Sequence, residues 1–370
     1  MLPLGGRLGR QFATWRGTGV LLLALAGESL PVRASQMDAV DLFQKLSQAV
    51  VRVVIAEEPN DDGLVTKWAF SGFFIDAEGR VLTNSASGAP ISRIWVEKDG
   101  LSYLAELIGS DPQTNVALLQ LVKLPEKFET IPLLESSQRP PIATPILRIA
   151  SPLELEPSPA VGLITGYESS LPSGVFPFTY TRVNLSAGLG DGGSLVVDAD
   201  GRLVGITVAS VPEISSSYLI PANALRRIVE DLAQTGAVSY GTLPIEFVER
   251  ADPTNVIRQI VIASVVPESS ASRADVRPGD VVRRLGSTAI RRIHDVRDEL
   301  FSARPGQFIT LEVERNGKRI PFALPVESRA EKHRPPPVPP PTDVQQEGEK
   351  AETPRLRPPT RPSESDSYHP

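Results

Sequence analysis

A serine hydroxyl attacks a carbonyl only when a base takes its proton, and histidine is the side chain that most often does so at neutral pH. This chain has three histidines, His294, His333 and His369, and none among its first 293 residues. Serines are plentiful in the same stretch, among them Ser85, Ser87, Ser186 and Ser194. The lysines nearest to these serines in the sequence, Lys67, Lys98 and Lys123, do not form a recognisable Ser-Lys motif with them. A carboxylate at Asp191 directly precedes Gly192-Gly193 and reads as a solvated loop residue. There are no cysteines, which removes thiolate nucleophiles, thiolate metal sites, disulfides and a lipid-modified cysteine. The acidic run Glu57-Glu58-Pro59-Asn60-Asp61-Asp62-Gly63 lacks the spacing of a calcium loop and reads as a polar hairpin tip. No metal and no cofactor are expected.

The elements that would carry these residues are short strands. Apolar runs recur at Val50–Ile55, Ala69–Ile75, Val81–Leu82, Ser92–Val96, Tyr103–Ile108 and Val116–Val122. A second set follows at Pro145–Ile149, Ala160–Tyr167, Phe178–Leu185, Ser194–Val197, Leu203–Ala209 and Ser217–Ile220. Gly, Pro, Asn or Asp punctuates many of them, a pattern that predicts β-barrels or sandwiches. The natural grouping is two six-stranded barrels joined near residues 137–142. Residues 221–236 read as a helix: Pro221 opens it, Ala224, Leu225, Ile228, Val229 and Leu232 form one apolar face, and Gly236 ends it.

Both ends have a different composition. Arg7, Arg10 and Arg16 precede an apolar run over Gly19–Gly27, followed by Pro31-Val32-Arg33-Ala34-Ser35. This order predicts a secretory signal over residues 1–34, cleaved after Ala34. The apolar run is too short to span a bilayer, so no integral membrane segment is expected after cleavage. Residues 328–370 are rich in Pro, Glu, Arg, Ser and Thr, with a polyproline run from Pro335 to Pro341. They offer too little apolar surface for a core and are predicted to be disordered. The net charge of −6 and the absence of basic-aromatic interleaving argue against a nucleic-acid partner.

Ser71 to Asn84, Ile108 to Leu119, Gly162 to Gly166, Gly192 to Asp198 with Gly205-Ile206, and Tyr218 to Asn223 follow one another in an order and spacing that resembles the HtrA/Deg family. These are secreted proteins with a trypsin-like serine protease fold and C-terminal PDZ domains. The resemblance implies a mainly β chain: two six-stranded trypsin-like barrels over residues 35–237, a PDZ domain of α+β type over 238–327, and the tail. It also implies where a Ser-His-Asp triad would sit. The histidine position holds Ala86, the aspartate position Asn115 and the serine position Asp191. Base, orienting carboxylate and nucleophile are then all missing, and Asp191 would repel an oxyanion. The expectation is an exported, periplasmic or envelope-located, catalytically inactive homologue that binds proteins as a scaffold. Residual unconventional hydrolysis and a purely structural envelope role are the alternatives.

Val266-Pro267 through Gly279-Asp280-Val281, with Asn316-Gly317 in the closing hairpin, resembles a bacterial PDZ domain. Such domains add an extended peptide as a strand and hold its terminal carboxylate with loop N–H groups. The resemblance places that loop at Gly241, Thr242, Leu243, Pro244 and Ile245, with Val296 and Leu300 of a helix across the groove. Pro244 replaces a glycine of the family pattern and has no N–H, so internal segments are expected to bind about as well as free C-termini. His294 reads as a surface residue. The expected partners are proteins or peptides, with active proteases of the same family among them. The family often forms trimers, and no residue pattern here decides the oligomeric state.

Overall fold

The computed structural model describes residues 37–60, 63–85, 90–133, 139–171, 174–251 and 258–329. The signal-like segment, Ala86, Ser87 and the tail from residue 330 lie outside the described residues.

A short helix α1 (Ala39–Leu46), capped by the Asp38 carboxylate on the N–H groups of Val40 and Asp41, leads into the first barrel. Its strands are β1 (Val50–Glu57), β2 (Lys67–Phe74), β3 (Arg80–Asn84), β4 (Ile91–Lys98), β5 (Leu101–Asp111) and β6 (Val116–Leu121). They close in the order β1-β2-β3-β6-β5-β4. The second barrel holds β7 (Pro145–Ala150), β8 (Ser158–Leu171), β9 (Gly174–Val183), β10 (Leu195–Asp198), β11 (Leu203–Val211) and β12 (Ser216–Pro221), closed in the order β10-β11-β12-β9-β8-β7. Closure pairs every strand on both sides and removes open edges. The expectation of two six-stranded barrels therefore holds.

Successive residues of a strand point to opposite faces, and here both faces are apolar. Val81 fills the first barrel, while its neighbour Leu82 faces the seam between the barrels. Val196 likewise fills the second barrel, and Leu195 and Val197 face the seam. The seam is one continuous cluster containing Phe73, Leu118, Ile149 and Ile206. Burial on two sides explains why strands such as β6 and β10 read as apolar runs and do not alternate with polar residues.

Helix α2 (Ala222–Thr235) lays Leu225, Ile228 and Leu232 into the same cluster. Pro221 is its N-cap, and Gly236, at φ 74°, turns the chain out of it. Gly109 of β5 faces this turn. A Cβ there would lie 2.5 Å from the Gly236 carbonyl oxygen, so no larger residue fits.

Beyond α2 come β13 (Gly241–Thr242), β14 (Ile245–Ala251), β15 (Arg258–Val265), α3 (Ser270–Arg273), β16 (Val281–Leu285), β17 (Thr288–Ala289), α4 (Ile293–Ser302), β18 (Phe308–Arg315), β19 (Lys318–Pro325) and β20 (Glu327–Ser328). The main sheet runs β14-β15-β16-β18-β19, and β13 pairs with β20. Asn316 and Gly317 both take positive φ between Arg315 and Lys318, the turn that an Asn-Gly pair favours. Ile260, Ile262, Val282, Leu311, Val313 and Leu324 form a separate core under α4. This is the α+β PDZ fold that the sequence implied. Among the described residues no helix is long and apolar enough to cross a membrane.

Candidate functional site

The loop before β10 lies at the seam between the barrels. Asp191 is 7% exposed. Its Oδ2 accepts the Gly188 N–H at 2.8 Å and lies 3.3 Å from the Arg148 guanidinium. Its own N–H donates to the Gly188 carbonyl at 3.2 Å. The expectation of a solvated carboxylate is therefore corrected: Asp191 is buried and serves as the counter-ion of a half-buried arginine. Burial lowers the pKa of Arg148, and Asp191 offsets part of that. Arg148 also donates to the Ser186 carbonyl at 2.7 Å, which ties both ends of the loop.

Asn115 sits at φ 64° in the β5–β6 turn, 5% exposed. Asparagine is among the residues that tolerate this left-handed conformation. Its Oδ1 accepts the Ser85 hydroxyl at 3.3 Å, and its carbonyl accepts the Ser85 N–H at 3.0 Å. The structure thus joins Asn115 to Ser85, and no hydrogen bond links either to Asp191 among the described residues. Ser194 is fully buried and donates to Thr207 Oγ1 at 2.9 Å. Ser186, Lys67 and Lys123 are exposed. Lys98 is buried with Asp99 at 3.3 Å. The sequence reading missed Ser71, which ties the two barrels together. Its hydroxyl donates to the Gly190 carbonyl at 2.9 Å and accepts the Ser151 N–H at 2.9 Å. Asn84 is fully buried behind Gly192, with both amide atoms lacking a partner among the described residues. No cluster of metal-ligating side chains occurs among the described residues.

The second candidate region is the groove of the PDZ fold. Strand β14 is an edge of its sheet, and α4 runs beside it. Gly241 and Thr242 are paired with Ser328 and Glu327, and the Pro244 carbonyl accepts the Val266 N–H at 3.0 Å. Leu243, Val296 and Leu300 are buried in the PDZ core, with Ile245 packed against them. The loop opens on a cavity of about 1000 Å³ shared with Val175–Pro177 of β9. His294 is half-buried, 3.5 Å from the Asp295 carboxylate.

Helix α4 also docks on the second barrel, which the sequence did not foretell. Asp298 accepts the Thr179 N–H at 2.7 Å and the Thr179 hydroxyl at 2.8 Å, and pairs with Arg139 at 2.5 Å. Phe301 packs tilted against Phe178, with 4.2 Å between ring centroids, and the Arg227 guanidinium lies 4.5 Å from the Phe301 ring. Arg304 bridges to Glu230 and Asp231 of α2. Tyr240, in the segment between α2 and β13, donates to Asp111 Oδ2 at 2.5 Å. Burial raises the pKa of Asp111, and hydrogen bonds from Thr114, Tyr240 and Gln113 counter part of the rise. Burial, with the Asp111 charge adding to it, pushes the Tyr240 phenol well up.

Residues 70–206 match the family model of trypsin-like peptidase domains, and residues 241–326 match that of PDZ domains. A trypsin-like peptidase match followed by a PDZ match supports the HtrA/Deg arrangement. Among curated relatives, the periplasmic pH-dependent serine endoprotease DegQ of Escherichia coli is 26% identical over 68% of this chain and 57% of its own length. The periplasmic serine endoprotease DegP of the same organism is 25% identical over 68% of this chain and 55% of its own. The chain thus spans little more than half the length of these relatives. The structure of the HtrA-type protease AlgW with a tripeptide superposes with a TM-score of 0.66 at 24% identity, covering 79% of this chain and 97% of that one. A serine endoprotease from Yersinia pestis gives 0.57 at 22%, covering 80% and 99%.

These relatives correct the expectation that the chain is not an enzyme. They are named as serine endoproteases, and the family points to a protease. The expectation rested on the absence of histidine before His294 and on side-chain types at three aligned positions, of which Ala86 lies outside the described residues. A missing imidazole does not by itself decide activity, since carboxylates, lysine and tyrosine also serve as general bases.

Proposed function

We propose that this HtrA-type chain takes extended segments of other proteins along β14 of its PDZ unit, over residues 238–327, beside the double barrel of residues 35–237. One observation carries the reading: β14 is an unpaired sheet edge facing α4, and the groove ends in a 1000 Å³ cavity at the Leu243–Ile245 loop. An edge strand offers a row of free N–H and C=O groups to an added strand, and Leu243, Ile245, Val296 and Leu300 supply an apolar floor. The protein acts after export, directed by residues 1–34, and the periplasmic location of the relatives supports this. Active proteases of the same family are among its partners.

The test is fluorescence anisotropy of the full chain with short labelled peptides randomised at their last positions, alongside turnover of an unfolded, carboxymethylated protein. Saturable peptide binding that weakens about tenfold in Ile245→Asp supports the reading, a change of about 1.4 kcal/mol. Absence of saturation at millimolar protein rejects it. Turnover reports separately on the barrels.

A further inference from the structure

A cavity of about 450 Å³ lies where α2, β9 and α4 meet, and it shares no lining residue with the cavity at the end of the peptide groove. Arg139, Arg226, Arg227 and Arg304 line it, with Glu230 and Asp298 as its acids. Both acids are engaged. Glu230 holds Arg226 with one oxygen at 3.0 Å and Arg304 with the other at 3.1 Å. Asp298 holds Arg139 and Thr179. Arg227 differs from the other three arginines, because it is only 9% exposed. Its Nη2 donates to the Ser239 carbonyl and lies 3.8 Å from the Asp231 carboxylate. Asp231 is itself shared: it pairs with Arg304 and accepts the Ser239 N–H at 3.1 Å. Burial lowers the pKa of Arg227, and the Asp231 charge counters part of that. The Nε and Nη1 of Arg227 make no hydrogen bond among the described residues. The Phe301 ring covers the face of the guanidinium and offers its in-plane N–H groups no acceptor. Buried donors left without an acceptor are costly.

The same cavity meets the start of α2 at Pro221, Asn223 and Ala224. Pro221 is the N-cap and supplies no side-chain acceptor, and the first turn holds no acid. The first N–H groups of a helix have no partner inside it and form its positive end. Buried guanidinium donors without an acceptor, an uncapped helix start, and four arginines against the carboxylates of Glu230, Asp231 and Asp298 describe a site for an anion. We propose that this cavity binds a small oxyanion of the phosphate class, held by Arg227 and the first N–H groups of α2, with Arg226 and Arg304 at its rim. A tetrahedral oxyanion presents several acceptors at once, which suits guanidinium and helix N–H donors converging from different directions. The ion would bridge α2 to the segment after α4 and so fasten the PDZ unit to the second barrel. The inference does not depend on the peptide-binding reading.

The experiment is calorimetric titration of the full chain with inorganic phosphate and, separately, with glycerol phosphate, at an ionic strength fixed with chloride. The same titrations are run on Arg226→Gln and Arg227→Met. Saturable binding is expected in the wild type. It should weaken about tenfold or more in each variant, since a hydrogen bond to a charged group contributes at least that factor. Tighter binding of glycerol phosphate identifies the ligand as a phosphate ester, and tighter binding of phosphate identifies it as the free ion. Arg226 is well exposed, so Arg226→Gln keeps the test decisive should Arg227→Met fail to fold. Melting curves give a second readout, because a ligand of the folded state raises the melting temperature by mass action. The general stabilisation by phosphate as a salt is the same for wild type and variants and is subtracted. Absence of saturation by either anion at tens of millimolar overturns the proposal. Equal affinities and equal melting shifts in wild type and variants also overturn it.

Discussion

Replacing Phe301 by Ala should detach the PDZ unit from the barrels before it unfolds either. Phe301 belongs to α4, yet its side chain is 6% exposed inside the barrel-seam cluster, against Phe178 and near Tyr240. Truncating a buried Phe to Ala costs about 3–5 kcal/mol in transfer and cavity terms. Arg227 adds to this, because its guanidinium rests on the Phe301 ring and two of its nitrogens have no hydrogen-bond partner among the described residues. Losing that contact costs about 1 kcal/mol more. The polar clamps remain, Asp298 on Thr179 and Arg304 on Asp231. They are partly exposed and cannot offset a loss of that size. Differential scanning calorimetry of the full chain should therefore show the wild-type transition split. The barrel transition should fall by roughly 10 °C, at about 2–4 °C per kcal/mol for domains of this size. Proteolysis should newly cut the segment between α2 and β13. A single transition within about 1 °C of wild type, with that segment still protected, would refute the assignment of Phe301 to the seam.

Asp191→Ala should cost about 2 kcal/mol in urea unfolding, because it leaves the half-buried Arg148 without its carboxylate. The double variant Asp191→Ala with Arg148→Met should recover most of this, and additive losses would refute the pairing. Asp111 has a pKa raised in the folded state, so its folded form holds a proton that the unfolded chain has released. That contribution is present below about pH 4 and is lost as pH rises through the folded value. The stability difference between wild type and Asp111→Asn should accordingly fall as pH rises through this window and then level off. A difference that grows with pH would contradict it. Any peptide-bond hydrolysis by the full chain should survive diethyl pyrocarbonate, since no histidine precedes His294. Inactivation reversed by hydroxylamine would place an imidazole in the chemistry.

What was legible in the sequence was what repeats. Twelve apolar runs, with their turn residues between them, fall in order on the twelve barrel strands, because each strand buries at least one face in a barrel or in the seam. The Asn-Gly of the last hairpin was legible for a local reason, the positive φ it accepts at both positions. What was not legible was what depends on one residue meeting another far along the chain. Asp191 looked like a solvated loop acid until Arg148, 43 positions earlier, proved to share its pocket. Asp298 carried no motif, yet it accepts both polar hydrogens of Thr179. Pro244 could be read as a lost donor from its chemistry alone. That a cavity shared with β9 opens beside it depends on α4 lying against β9, a contact between segments more than a hundred residues apart that no periodicity encodes. The same reasoning limits what the substituted triad positions can say. Side-chain type at an aligned position names what is missing from one mechanism, whereas activity depends on which groups the seam brings together, and there Ser85, Asn115, Asp191 and Arg148 meet partners that the motif does not contain.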